Sequence, residues 1–255
     1  MRIVIKIGTS TLTHENGSVN LRRFEALCRI VSDIMNSGKE IILVSSGAIG
    51  MGVGKLGLRE RPSDIAGKQA CAAVGQCELM YEYDKLFGEY NHTVAQILLT
   101  APDLACDDRR AKFESTIERL LALGVLPIIN ENDTVATEEI VFGDNDTLAA
   151  KVAVTIGADL LILLSDIDGL YTADPRKDKN ATLISEVHAI DEKIMSLAGS
   201  AGTGRGTGGM ETKLRAAKIA TEAGCDMIIA NGASPELLYD LADGALVGTK
   251  FYAKG

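Results

Sequence analysis

"EIILVSSGAIGMG", residues 40 to 52, carries an unbroken apolar, β-branched run straight into small residues and then into a loop or helix. A strand covered on both faces has no polar side to show, so a run of this kind reads as a buried strand of a parallel sheet. The same grammar recurs in "RIVIKI" (2 to 7), "VAQILL" (94 to 99), "VLPII" (125 to 129), "DLLILLS" (159 to 165) and "DMIIA" (226 to 230). Helical patterns separate most of these runs. In 21 to 35, Leu21, Phe24, Leu27, Cys28, Val31 and Ile34 recur at i, i+3, i+4 spacing, and Asn20 is placed to cap the first turn. Segments 64 to 87, 108 to 123, 145 to 156 and 210 to 223 behave alike. Gly38, Gly124, Gly157 and Gly224 stand where left-handed caps would end helices. Alternating strands and helices predict an α/β layered fold with a mainly parallel sheet, its ligands at the carboxyl ends of the strands. "TVATEEIVF" (134 to 142) and "LISEVHAI" (183 to 190) read as short hairpin additions outside that sheet.

Composition narrows the class of ligand. The chain has 255 residues, 46% of them apolar and 24% charged, with a formal charge of −9. A net field of that sign disfavours nonspecific nucleic-acid or anionic-membrane binding, so an anionic ligand requires a local cluster of Lys, Arg or backbone N–H groups. Five cysteines without a C-x-x-C pair suggest reduced thiols rather than a disulfide framework or a zinc knuckle. The three histidines are scattered, which argues against a histidine metal site. No apolar run approaches the ~18 residues of a membrane span, and no signal-peptide core follows Met1, so a cytoplasmic protein is expected.

Four glycine-bearing turns follow strands or open helices: "KIGTS" (6 to 10), "SSGAIG" (45 to 50), "SDIDGLYTADPR" (165 to 176) and "GTGRGTGGMETK" (202 to 213). Small residues at such places let backbone N–H groups approach an anion. Two nominal G-x-G-x-x-G matches, at Gly52, Gly54, Gly57 and at Gly204, Gly206, Gly209, do not follow directly on a strand, which disfavours a dinucleotide site. No G-x-x-x-x-G-K-[ST] run is present. The last turn stops abruptly at "GMETKLRAAKIATEAG" (209 to 224), a helix with Lys213 one turn in, which suits closure over phosphates better than a plain linker.

The segment "INENDTVATEEIVFGDND" (129 to 146) concentrates Glu131, Asp133, Glu138, Glu139, Asp144 and Asp146 beside Asn130, Asn132 and Asn145. A metal cage, a solvated loop and a pocket for a small zwitterion would all use these side chains. The carboxylates lack regular calcium-loop spacing, which weakens the cage. Glu138 and Glu139 fit a solvated hairpin over the pocket. Asp133 can take an ammonium, while asparagine amides and N–H groups near Gly47 can take a carboxylate.

Together "VIKIGTSTLT", "ILVSSGAIGMG", "KQACAAVGQ", "QILLT", "PIINENDTVATEEIVFGDNDTLAA", "LLILLSDIDGLYTADPR" and "GTGGMETKLRAAKIA" resemble the amino acid kinase family over essentially the whole chain. Within it the match is to members that phosphorylate glutamate, and the pair "INEND" and "FGDND" discriminates. The resemblance implies a three-layer αβα sandwich acting as a single domain over 1 to 255, without the PUA-like carboxyl-terminal domain of many such enzymes. Residues to about 157 would hold the amino acid, and those from about 158 would hold ATP with Mg²⁺. The implied reaction is ATP-dependent phosphorylation of the L-glutamate γ-carboxylate, the first step of proline biosynthesis.

Carried position by position, Lys6, Lys213 and Asp146 take catalytic roles. Ser46, Gly47, Asn130, Asp133, Asp144 and Asn145 would bind glutamate. Lys6, Gly8, Ser165, Asp166, Thr207, Gly208, Gly209, Met210, Glu211, Thr212 and Lys213 would bind ATP, with no metal held by protein side chains alone. Proline as feedback inhibitor, a homo-oligomer (dimer or tetramer) and coupling to glutamyl 5-phosphate reductase are further implications. The chemistry is consistent with this set. A substrate carboxylate, with a pKa of about 4.3, is already ionised at neutral pH and needs no general base. Two lysines near one another repel, so an acidic residue should separate them, and Asp146 is the candidate. The competing readings are a member acting on N-acetylglutamate, carbamate or a nucleoside monophosphate, and a noncatalytic amino acid sensor.

Overall fold

The computed structural model describes residues 1 to 14, 18 to 136, 145 to 198 and 209 to 254. The first half runs β1 (Arg2–Ile7), α1 (Thr9–Leu12), α2 (Leu21–Asn36), β2 (Glu40–Val44), α3 (Ala48–Lys55), α4 (Ile65–Gly88), β3 (Val94–Leu99), α5 (Ala101–Ala105), α6 (Asp107–Ala122) and β4 (Leu126–Glu131). The second half runs α7 (Asn145–Thr155), β5 (Leu160–Ser165), β6 (Leu170–Tyr171), β7 (Leu183–Ile184), β8 (Glu186–Val187), α8 (Glu192–Leu197), α9 (Met210–Glu222), β9 (Asp226–Asn231), α10 (Leu237–Ala242) and β10 (Thr249–Phe251).

One sheet orders its strands β3-β4-β2-β1-β5-β9-β10-β8. The six apolar runs expected as strands form its parallel part, and β10 adds antiparallel to β9. All six therefore end at one edge, where the following loops and helix starts gather. Asn20 caps α2 as expected, its side chain accepting from the Arg23 N–H at 3.2 Å. Gly38, Gly124, Gly157 and Gly224 all adopt positive φ.

Segment 183 to 190 departs from the expectation of a hairpin outside the sheet. Only β7 lies apart, paired with β6, while β8 joins the main sheet beside β10. A two-residue strand carries too little pattern to reveal its partner. Residues 137 to 142 of the other expected hairpin lie outside the described residues.

Side chains of β1 alternate between two cores. Ile3, Ile5 and Ile7 pack with Phe24 and Leu27 of α2, Leu79 and Tyr83 of α4, and Leu238 of α10. Val4 shares the opposite core with Leu148 and Val152 of α7 and Leu214 and Ala217 of α9. Helices thus cover both faces, giving the three-layer αβα arrangement. Each fully buried Ile or Leu contributes about 1.5 to 3 kcal/mol, enough to hold the strand ends in register. The period of two also sends Lys6 to the Val4 side, toward the amino ends of α7 and α9.

Candidate active site

At the carboxyl end of β1, Lys6 Nζ lies 2.6 Å from Asp146 Oδ1. Lys213 Nζ lies 3.0 Å from Asp146 Oδ2. One carboxylate therefore spans both ammonium groups. Three elements supply the triad: Lys6 ends a central strand, Asp146 sits in the first turn of α7, and Lys213 in the first turn of α9. The Asp146 side chain is 1% exposed. Burial by itself would raise its pKa and is the largest single influence. The charges of Lys6 and Lys213, with their hydrogen bonds, outweigh it and hold the pKa at about 2. The amino end of α7 favours the same anion. Thr212 Oγ1 stands 3.1 Å from Asp146 Oδ2 and 2.8 Å from the Gly209 carbonyl. With one negative and two positive charges the triad is net cationic, so it can receive an anion.

Beside it lies a network of amides. Asn145 Nδ2 donates to the Ser45 carbonyl at 2.6 Å, to Asn130 Oδ1 at 3.0 Å and to Ser46 Oγ at 3.1 Å. Asn130 Oδ1 also accepts the Glu131 backbone N–H at 3.0 Å, and its Nδ2 donates to Gln76 Oε1 at 2.7 Å. Ser45 Oγ meets the buried Tyr83 hydroxyl at 3.0 Å. Burial raises the Tyr83 pKa despite the opposing Ser45 bond, so the hydroxyl stays protonated. Gly47 follows with φ 98°, a conformation that costs glycine little, and starts α3.

Close approach of α3 and α4 holds this loop in place. A Cβ built at Gly75 would lie 1.8 Å from the Ala48 carbonyl oxygen, and one at Gly52 would lie 1.9 Å from that of Cys71. Gly52 and Gly54, which give the first nominal dinucleotide motif its pattern, are interior residues of α3. The glycine at 52 serves packing between helices.

A second cleft opens past β5. Ile167, Tyr171, Pro175, Arg176 and Leu197 wall it, and Asp166, Met210 and Lys213 border it. Its empty space, which includes open solvent, is about 530 Å³. Lys213 belongs to both this cleft and the triad. The two regions meet there.

The structure gathers Lys6, Lys213, Asp146, Ser46, Asn130 and Asn145 as the sequence predicts. Asp133 is half-buried in the turn after β4. Ser165 is buried, with its hydroxyl donating to Asp166 Oδ1 at 3.1 Å. The Gly8 N–H is directed to the Leu164 carbonyl at 3.3 Å. Glu211 turns outward instead, paired with Arg215 at 3.2 Å. Gly209 precedes α9 without a side-chain cap. Asp144, Thr207 and Gly208, with Glu138 and Glu139, lie outside the described residues. Sequence reasoning missed Gln76, Tyr83 and the cleft walls. Gln76 and Tyr171 stood inside quoted motifs, but only folding reveals what they face.

Two cationic side chains on a shared carboxylate, between an amide-lined loop and a cleft, give a site able to receive anions. The family model described as "Amino acid kinase family" matches residues 1 to 231, and the chain belongs to that family. A protein of Clostridium perfringens named "Glutamate 5-kinase" is 55% identical over 99% of this chain and 96% of its own length. A second of that name, from Carboxydothermus hydrogenoformans, is 56% identical over 99% of this chain and 68% of its own. Among solved structures, carbamate kinase from Giardia lamblia bound to AMP-PNP superposes with a TM-score of 0.68 at 16% identity, covering 99% of this chain and 98% of that one. At that identity it supports the fold alone.

Proposed function

We infer that this chain transfers the γ-phosphoryl group of ATP to the γ-carboxylate of L-glutamate, forming glutamyl 5-phosphate, the activity of a glutamate 5-kinase and the first step of proline biosynthesis. The observation that carries the inference is the Lys6, Asp146, Lys213 triad, read with relatives of that name at over 50% identity across 99% of this chain.

The attacking carboxylate is ionised at neutral pH, so the task is to bring two anions into line and to stabilise charge spread over the transferring group. Lys6 supplies positive charge from the β1 end, between the amide network and the cleft. Lys213 supplies it from the nucleotide side. Asp146 holds both ammonium groups aimed at a fixed spacing. Ser46 and Asn145, with the N–H groups after Gly47, receive the glutamate carboxylate, and Asp133 receives its ammonium. Ser165, Asp166, the sequence run Thr207 to Gly209 and the α9 residues Met210 to Lys213 take the nucleotide.

A divalent cation accompanies ATP in kinases, and Mg²⁺ is our proposal. Among the described residues no group of three or more His, Cys, Asp or Glu side chains is close enough to hold a metal ion. We propose Mg²⁺ as a nucleotide-borne ion, held largely by phosphates with few protein oxygens, which would neutralise phosphate charge when bound.

Further parts of the proposal are a single catalytic domain divided near residue 157 between its two ligands, a cytoplasmic location, proline competing for the glutamate pocket, a homo-oligomer, and hand-over of the acyl phosphate to a reductase. Among the described residues no helix is long and apolar enough to cross a membrane.

Hydroxylamine traps an acyl phosphate as a hydroxamate, so one assay tests the reaction. Hydroxamate is expected from glutamate with Mg-ATP, and not from N-acetylglutamate. Formation from the acetylated acid, or none from glutamate, would overturn the reading.

A further inference from the structure

The amide groups beside the triad have a fixed polarity that ends at Gln76. A backbone N–H can only donate, so the Glu131 N–H requires the oxygen of the Asn130 amide to face it, at 3.0 Å. A backbone carbonyl can only accept, so the Ser45 oxygen requires the NH₂ of Asn145 to face it, at 2.6 Å. Asn145 then also donates to Asn130 Oδ1, which agrees with the first constraint. The Asn130 NH₂ must consequently point the other way, where it donates to Gln76 Oε1 at 2.7 Å. This leaves the Gln76 Nε2 as a pair of outward N–H donors whose direction is set by two backbone groups that cannot flip.

Gln76 is placed to use them on a ligand. Its neighbour Gly75 packs so tightly on α3 that an added Cβ would lie 2.4 Å from the Gly52 nitrogen and 1.8 Å from the Ala48 oxygen. The Gln76 side chain is two hydrogen bonds from Asn145, which itself donates to Ser45 and Ser46. It is only partly buried, and its Nε2 has no acceptor among the described residues.

We propose that Gln76 is a substrate-contacting, specificity-determining residue that donates an N–H to a carboxylate of the acceptor amino acid. The inference rests on the glutamate kinase reading and deepens it. A fixed donor here selects an anionic oxygen and disfavours a cationic or N–H-bearing group at the same place, because unlike the surrounding hydroxyls it cannot reverse its role.

Gln76→Glu isolates the donor. Its carboxylate can still accept from Asn130, but the outward N–H pair becomes an anionic acceptor. Steady-state kinetics by the hydroxamate assay should give a KM for glutamate raised about 30-fold or more, with the KM for ATP within about twofold of wild type. A residue that only steadied Asn130 would keep its wild-type KM in this variant, and that result would overturn the inference. Gln76→Met, uncharged and of similar length, should raise the same KM about 10-fold, and it carries the test if the Glu variant does not fold. Failure of wild-type enzyme to form hydroxamate from glutamate would instead sink the functional reading before any variant is made.

Discussion

Asp146 is the side chain on which two others depend. With its pKa held near 2, below the ordinary 3.8, it stabilises the fold fully above pH ~4, and that contribution is lost as pH falls through about 2. The acid limb of kcat/KM should therefore track the substrate carboxylate near pH ~4.3 rather than Asp146. A rate profile measured on protein shown to stay folded at each pH checks this. Asp146→Asn removes the carboxylate charge that the Lys6 and Lys213 ammonium groups share. Its expected cost is about 3 to 5 kcal/mol in stability by denaturant unfolding, together with a kcat lower by ~100-fold or more. Lys6→Ala and Lys213→Ala should each lower kcat ~100-fold or more while the KM for glutamate changes little, because their charge is used when the phosphoryl group transfers. Asp133→Asn should show the reverse pattern, a raised KM for glutamate with little change for ATP. Near wild-type turnover in either lysine variant would remove it from the catalytic assignment.

Elements decide where these residues stand. The α3 and α4 pair approaches closely through two missing side chains, at Gly52 and Gly75, and Lys55 of α3 bridges Glu78 of α4 at 2.8 Å. Gly75→Ala forces a methyl group against the Ala48 carbonyl, so the helices must separate. A loss of about 1 to 3 kcal/mol in thermal unfolding is expected. The KM for glutamate should rise too, because α3 carries the Ser46 and Gly47 loop at its start. Tyr83 holds that loop from below: its ring packs edge-on against Phe24 at 4.6 Å between centroids, and its hydroxyl reaches Ser45. These helices were only partly legible in advance. The α2 stripe announced itself by its spacing, whereas α3 hid behind glycines that weaken helix propensity and imitate a nucleotide motif. Its helical state is bought by tertiary contact.

The whole molecule is organised around β1, which contributes to both cores and carries Lys6 to the shared carboxylate of Asp146. Each core draws residues from both sides of position 157. Saturating glutamate or nucleotide should therefore shift one shared calorimetric transition, by about 2.7 kcal/mol at 100 times Kd. Two transitions, each answering to its own ligand, would count against the single-domain proposal. The six main strands, most helices between them and their parallel arrangement were readable in the amino-acid sequence, because apolar runs and capping glycines are local signals. That Lys6, Asp146 and Lys213 are candidates was legible through motifs. What only the tertiary structure decided is which atoms meet: one carboxylate between two lysines, and an amide chain whose polarity ends at Gln76. Those contacts join residues far apart in the chain, and hydrogen-bond direction depends on the groups that folding brings within about 3 Å.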